Sequence, residues 1–412
     1  MGRTYPLCFW ALFTIAAFAH VATARDLRNV TEPKTPPVCT SLKATSEDDT
    51  ELIQKALDAC AKGKAVALSS GTFYSGPLTI PSGVSLLVDS GVTLKAIPTP
   101  KLYDLGGNTC GTVDKSGFGC KPFITIKGAT SSGIYGKGTI DGQGGEKMTG
   151  TNTTWWKLSR MALNWGLFQN NPRLIQINNS VDITVYQITL TSSPFYHLTT
   201  SEVYGFTVWG IFINSSHATR NTDGIDPTGS QNVTIAHCNI STVDDNIAIT
   251  AMTAPARHIS VFNNHLSHGN GMAIGSGIKY GVSDVTFSGI TLNSLTYAIY
   301  IKSHRASDGL VTNISYDNIC ISRSRYPICL DMFFDIFVSD RETDYQNISF
   351  NNINVATNGT FVFHGISDSN PIRVNMNNVH ISKHSEWSVS HANITGAWKD
   401  DSVRRCGFYG ND

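Results

Sequence analysis

Val233-Thr234-Ile235-Ala236-His237-Cys238-Asn239-Ile240 carries two apolar pairs, each spaced by one residue, with a two-residue break between them. Apolar side chains at every second position mark a short strand with one buried face, and the break marks a tight bend joining two strands. The pattern recurs along the chain. Upstream it runs through Ile183, Val185, Ile188 and Leu190, then Phe206, Val208, Ile211 and Ile213. Downstream it returns at Ile259, Val261, Asn264 and Leu266, at Val285, Phe287, Ile290 and Leu292, and at Ile314, Tyr316, Ile319 and Ile321. The last copies are Ile348, Phe350, Ile353 and Val355, and Val374, Met376, Val379 and Ile381.

The copies start 23 to 34 residues apart. One copy cannot bury its apolar face alone, so the copies must stack. Asn tolerates left-handed backbone angles and recurs in the break, as in Asp317-Asn318, Asn351-Asn352 and Asn377-Asn378. The expected fold is all-β: a single-stranded, right-handed parallel β-helix whose coils rise by about 4.8 Å. A propeller is the alternative, but its blades need about 40 to 50 residues, more than most of these steps. An open solenoid end needs a lid. Thr45 to Cys60 supplies an N-terminal capping helix, with Ser46 as its cap, Asp48, Asp49 and Glu51 near its positive end, and Leu52, Ile53, Ala56 and Leu57 as its apolar stripe.

The 412 residues include 31 Lys plus Arg and 31 Asp plus Glu, a net charge of zero. A chain that bound nucleic acid through surface charge would show a basic excess, so nucleic acid is not an expected partner. Arg3, the apolar run Leu7 to Ala19 and the small-x-small sequence Ala22-Thr23-Ala24 read as a secretory signal peptide over residues 1–24. That run is too short for the roughly 20 residues a membrane span needs. A single domain over residues 25–412 is expected, secreted, extracellular, monomeric and free of membrane. Cys8 leaves with the leader, and the eight remaining cysteines favour disulfides. Cys110 with Cys120, and Cys320 with Cys329, are near enough in sequence to close short loops. No CxxC pair argues for a zinc site, and no cofactor or metal is expected.

Polar groups of one kind follow successive copies. Asn221-Thr222-Asp223-Gly224-Ile225-Asp226-Pro227 follows the second, Asp244-Asp245-Asn246 the third, Gly269-Asn270-Gly271 the fourth and Tyr300-Ile301-Lys302 the fifth. Each lies about one coil from the next, so stacking makes them lateral neighbours. Asp223, Asp244 and Asp245 then share one groove, with Lys302 two rungs beyond the acid pair. Crowding three carboxyls raises at least one pKa, so one can keep its proton while another is ionised. Consecutive strand residues face opposite ways, so Asp244 and Asp245 both line the groove only if a bend or bulge sits there.

These motifs, together with Gly136-Lys137-Gly138-Thr139-Ile140-Asp141-Gly142-Gln143-Gly144 and Pro172-Arg173-Leu174-Ile175, resemble glycoside hydrolase family 28, the polygalacturonases, over the mature chain. The likeness is to the bacterial endopolygalacturonase type. It implies a pectin-lyase-like solenoid acting on a pectic polysaccharide by inverting hydrolysis of α-1,4-galacturonosyl bonds. In that resemblance Asp244 is the acid, Asp223 and Asp245 hold the water, and acid and base stand roughly 6.5 to 9.5 Å apart. Asn221 and Lys302 take substrate, Lys302 by pairing with a galacturonate carboxylate. The family's Gly-His-Gly and Arg-x-Lys stand here as Gly269-Asn270-Gly271 and Tyr300-Ile301-Lys302, so Asn270 and Tyr300 occupy substrate-binding positions of a His and an Arg. An amide does not titrate near neutrality, and Tyr offers no bidentate fork. His268 would take over the missing imidazole only through a local bulge. Two other readings follow: a pectin-binding pseudoenzyme that grips without cutting, and a calcium-dependent pectate lyase, which shares the β-helix and binds metal through carboxylates.

Overall fold

In the computed structural model, which describes residues 27–215, 219–293, 295–304, 309–335, 343–401 and 406, the repeated apolar positions stack in register. Ile183 pairs with Phe206, Phe206 with Val233, Val233 with Ile259 and Ile259 with Val285; the series continues through Ile314 and Ile348 to Val374. A second column joins Leu190, Ile213, Ile240, Leu266 and Leu292. Every pairing in these two columns is parallel, and all of these side chains are buried. Parallel pairing of residues one repeat apart, coil after coil, makes a parallel β-helix and excludes the antiparallel blades of a propeller. The signal-peptide reading of residues 1–24 lies outside the described residues.

The bend inside each copy has a single backbone cause. Its second residue adopts a left-handed φ: Gln187 58°, His237 57°, Asn263 54°, Asn318 54°, Asn352 54° and Asn378 55°, with Gly210 and Gly289 filling the same place. One left-handed residue turns the chain without interrupting the stack, and Asn and Gly bear that angle at least cost. Inside the coil, Phe287, Tyr316 and Phe350 form a stacked aromatic column with centroids 4.8 and 5.2 Å apart.

A third face of the solenoid carries the site. Its central strands are Leu198–Ser201, Ile225–Thr228, Asp245–Ile249, Asn270–Ile274 and Leu295–His304. Leu198, Ile225, Ile247, Met272 and Ile299 follow one another in register and point into the core.

The lid forms, though later than expected. The helix is Thr50–Ala59, entered at Asp49; Ser46 sits at φ 69°, an angle that takes it out of the cap position. Thr45 donates to Asp49 Oδ1 from its amide at 3.1 Å and its hydroxyl at 2.7 Å, while Thr50 N donates to Asp48 Oδ1 at 2.9 Å. Ile53 and Leu57 close the core, whereas Leu52 stays exposed. Disulfides join Cys39 to Cys60, Cys110 to Cys120 and Cys320 to Cys406. The short Cys320–Cys329 loop does not form, because the two lie on strands of different faces, Leu310–Ile321 and Ser324–Asp335. Cys329 instead lies buried beside Tyr300, and Cys238 fills a core position. Among the described residues no helix is long and apolar enough to cross a membrane.

Candidate active site

Asp245 opens its strand, and Asp244 sits in the bend before it, so both carboxylates reach the same face. Glycine makes that bend possible from the next coil. A Cβ on Gly269 would fall 2.3 Å from the Asp244 carbonyl oxygen, and the close approach brings Asn270 N within 3.1 Å of the same oxygen. Thr242 Oγ1 donates to it as well, at 2.8 Å.

One oxygen from each of Asp223, Asp244 and Asp245 lies within 4.8 Å of the others. This is tighter than the roughly 6.5 to 9.5 Å expected between a lone acid and a lone base, because three carboxyls from two adjacent coils converge on one spot. Their partners are mostly N–H donors. Asn221 Nδ2 donates to Asp244 Oδ2 at 3.1 Å, and Asn270 Nδ2 bridges Asp244 Oδ1 at 3.3 Å and Asp245 Oδ1 at 3.0 Å. Lys302 Nζ pairs with Asp245 Oδ2 at 2.9 Å from two coils away. Asn221 is itself held by Gln169 Nε2 at 3.2 Å.

Burial sets the protonation states. Asp223 is 8% exposed and titrates well above the usual 3.8, first because it is buried and then because Asp244, Asp226 and Asp245 crowd it. Asp244 is also raised, by burial and by Asp245, against the pull of Lys302 and Arg220. Burial alone would lower Lys302, but Asp245, Asp244 and Asp223 together carry its pKa above the usual value. Asp223 Oδ1 is buried with no hydrogen-bond partner, which leaves one acceptor of the cluster uncommitted.

Tyr300 lies where the fork of an Arg was wanted, yet it joins an aromatic wall. It is 4% exposed, stacks on Tyr297 at 4.1 Å and meets Phe334 edge-on at 6.2 Å. The Lys302 ammonium lies 4.9 Å from the Tyr300 ring centroid and 5.2 Å from that of Phe334, so ring faces help hold the cation. His268 turns at φ 58°, with Nδ1 3.1 Å from Ser241 Oγ, while Asn270 is the residue that meets both acids.

Several groups were given no role by the sequence. Asp226 lies in the Asn221–Pro227 run; it is buried beside the cluster, with a raised pKa set by burial, Asp245 and Asp244. Arg173 is half-buried, with its guanidinium over the Phe195 and Tyr196 rings at 5.5 and 5.4 Å. His197, fully buried, donates from Nδ1 to the Asp223 carbonyl at 2.9 Å, and burial pushes its pKa down to about 4, so it serves as a neutral anchor. The three acids could in principle ligate a cation. Asp245, however, already has an ammonium on one oxygen and an amide on the other, which suits proton transfer better than an oxygen-rich calcium cage.

The model of glycosyl hydrolases family 28 matches residues 60–403. An endo-polygalacturonase of Pectobacterium parmentieri is 44% identical over 389 residues, covering 93% of this chain and 96% of the relative. A polygalacturonase of Ralstonia solanacearum is 33% identical over 456 residues, with 92% and 85% covered. The solved polygalacturonase from Erwinia carotovora ssp. carotovora superimposes with a TM-score of 0.86 at 43% identity, over 90% of this chain and 100% of that one. A parallel β-helix with clustered acids on one outer face, matched by the family model over most of its length, leads to one assignment: the chain belongs to glycosyl hydrolases family 28.

Proposed function

We propose that this glycosidase is a secreted polygalacturonase, made as a signal peptide over residues 1–24 and one catalytic domain over residues 25–412. Its substrate is polygalacturonate or a related pectic polysaccharide, cut at α-1,4-galacturonosyl bonds. The observation that carries the reading is the convergence of Asp223, Asp244 and Asp245 within 4.8 Å, with the pKa of Asp244 raised by burial and by Asp245. Three disulfides support an oxidising compartment.

Asp244 is the acid that donates to the leaving oxygen. Asn221 and Asn270 each donate to one of its oxygens and so hold the carboxyl in place from two sides. Asp245, in its ion pair with Lys302, supplies the anionic charge that activates water, and the uncommitted oxygen of Asp223 gives that water a second acceptor. Direct attack by this water inverts the anomeric centre. The short acid spacing does not oppose inversion here, because two carboxyls share one water in place of a single distant base. Lys302 and the aromatic wall of Tyr300 and Phe334 receive the sugar that leaves; with Tyr300 in place of a guanidinium, that contact relies on one ammonium and on ring faces.

Purified protein incubated with polygalacturonate, xylogalacturonan and rhamnogalacturonan tests the assignment. Release of reducing ends from polygalacturonate with no unsaturated product is expected. Unsaturated product that depends on calcium would make it a lyase, and tight binding with neither product would make it a pseudoenzyme.

A further inference from the structure

Arg220 stands beside the acids with its hydrogen-bonding capacity unspent. It immediately precedes Asn221, whose amide touches Asp244, and its charge is near enough to oppose the rise in Asp244. Its Nη1 is buried with no acceptor, and no hydrogen bond or ion pair among the described residues takes up its other nitrogens. Buried donors are nearly always paired in folded proteins, so an orphaned guanidinium next to a substrate groove asks for an acceptor from outside the chain. A planar five-donor fork fits a carboxylate best.

The other cations nearby are placed differently. The Arg173 guanidinium is taken up over the Phe195 and Tyr196 rings at 5.5 and 5.4 Å, and Lys302 has already given a hydrogen bond to Asp245. Position along the solenoid separates them further. Lys302 lies two coils C-terminal to Asp245, whereas Arg220 lies on the coil N-terminal to it. A galacturonan carries one carboxylate per sugar, so a chain lying across Asp244 presents a carboxylate on each side of the bond to be cut.

We propose that Arg220 is a specificity-determining residue that grips the free carboxylate of the sugar on the N-terminal side of the scissile bond, so that this sugar must be unesterified. The proposal rests on the polygalacturonase reading for its substrate, but it can fail separately.

The test compares wild type, Arg220→Gln and Arg220→Lys against a defined oligogalacturonate and its fully methyl-esterified counterpart. Dissociation constants are measured by calorimetry, and KM where turnover is seen. Arg220→Gln should weaken binding of the free acid by about 10- to 100-fold, the loss of a charge-assisted contact, while changing binding of the ester less than about twofold. Arg220→Lys, which keeps the charge without the fork, should fall between and guards against a Gln variant that does not fold. Equal losses on both ligands, a shift in the pH profile alone, or no loss at all would overturn the assignment. If wild type releases no reducing ends, the hydrolase reading falls, and the binding titrations still decide the role of Arg220.

Discussion

Asp244 shares its site with Asp223, Asp226 and Asp245, and the difficulty of charging several carboxyls in one buried place acts on catalysis and on stability in opposite senses. A raised Asp244 remains a proton donor above the ordinary Asp range, so hydrolysis should persist into mildly acidic pH and fall as pH climbs through that raised pKa. Stability follows the proton count. The folded state binds more protons than the unfolded state above the usual 3.8, so stability declines as pH rises from there toward the folded-state pKa of Asp223 and Asp226. Asp223→Asn removes part of that penalty while discarding an acceptor for the water. It should raise Tm at pH 7 and lower kcat by about 10²- to 10⁴-fold, read by calorimetry and reducing-end assay; an unchanged kcat would remove Asp223 from the reaction. Asn270→His tests the neighbouring position. An imidazole there would stand against two carboxylates, so it should raise turnover and add a limb to the pH profile that the wild type lacks. A profile identical to wild type, with folding intact, would count against the place given to Asn270 beside the acid.

At the level of the strand and its bend, the sequence was most informative where a rule had one outcome. The paired apolar positions around each break could stack in only one register, and Ile183, Phe206, Val233 and Ile259 do so. The break also foretold the left-handed residue, because Asn and Gly recur there. Asn352→Ala should therefore cost about 1 to 2 kcal/mol in chemical denaturation, whereas Asn352→Gly should cost less; equal losses would mean that the 2.8 Å bond from Asn378 Nδ2 matters more than the backbone angle. The candidate acids were legible for the same reason: one coil of spacing brought Asp223 to Asp244 and Asp245. Groups whose partners arrive from irregular segments were not. Gln169 and Arg173 precede their coils in connecting stretches with no period, and nothing in spacing could tell that Gln169 would hold Asn221. The helix start moved from Ser46 to Asp49, whose carboxylate accepts from Thr45 and makes no cap bond to the helix, and only the chain path separates the two positions. Cys320 found Cys406 for a related reason, since sequence distance is a poor guide to distance across a stack.

On the scale of the whole solenoid, each coil touches mainly the coils before and after it, so stability is a sum of neighbouring interfaces and loss can begin at an end. The two ends are unequal. The N-terminal end has the Thr50–Ala59 helix over its core and the Cys39–Cys60 disulfide beside it. At the other end the strand Ala392–Asp400 is mostly exposed, with Trp398 against Trp387 at 5.5 Å, and a disulfide ties Cys406 to Cys320 in the strand Leu310–Ile321. That bond closes 86 residues of separation, for which loop-closure entropy alone is about 4 to 5 kcal/mol. Removing it with Cys320→Ser and Cys406→Ser together should loosen the C-terminal coils before the catalytic ones. Hydrogen exchange should show lost protection in Asp344–Val355, Ile372–Ile381 and Ala392–Asp400, while Asp245–Ile249 and Asn270–Ile274 stay protected and polygalacturonate hydrolysis at low temperature is retained. Uniform loss of protection along the chain would instead mean that the solenoid unfolds as one cooperative unit, in which case the bond guards the active site as directly as it guards the tail.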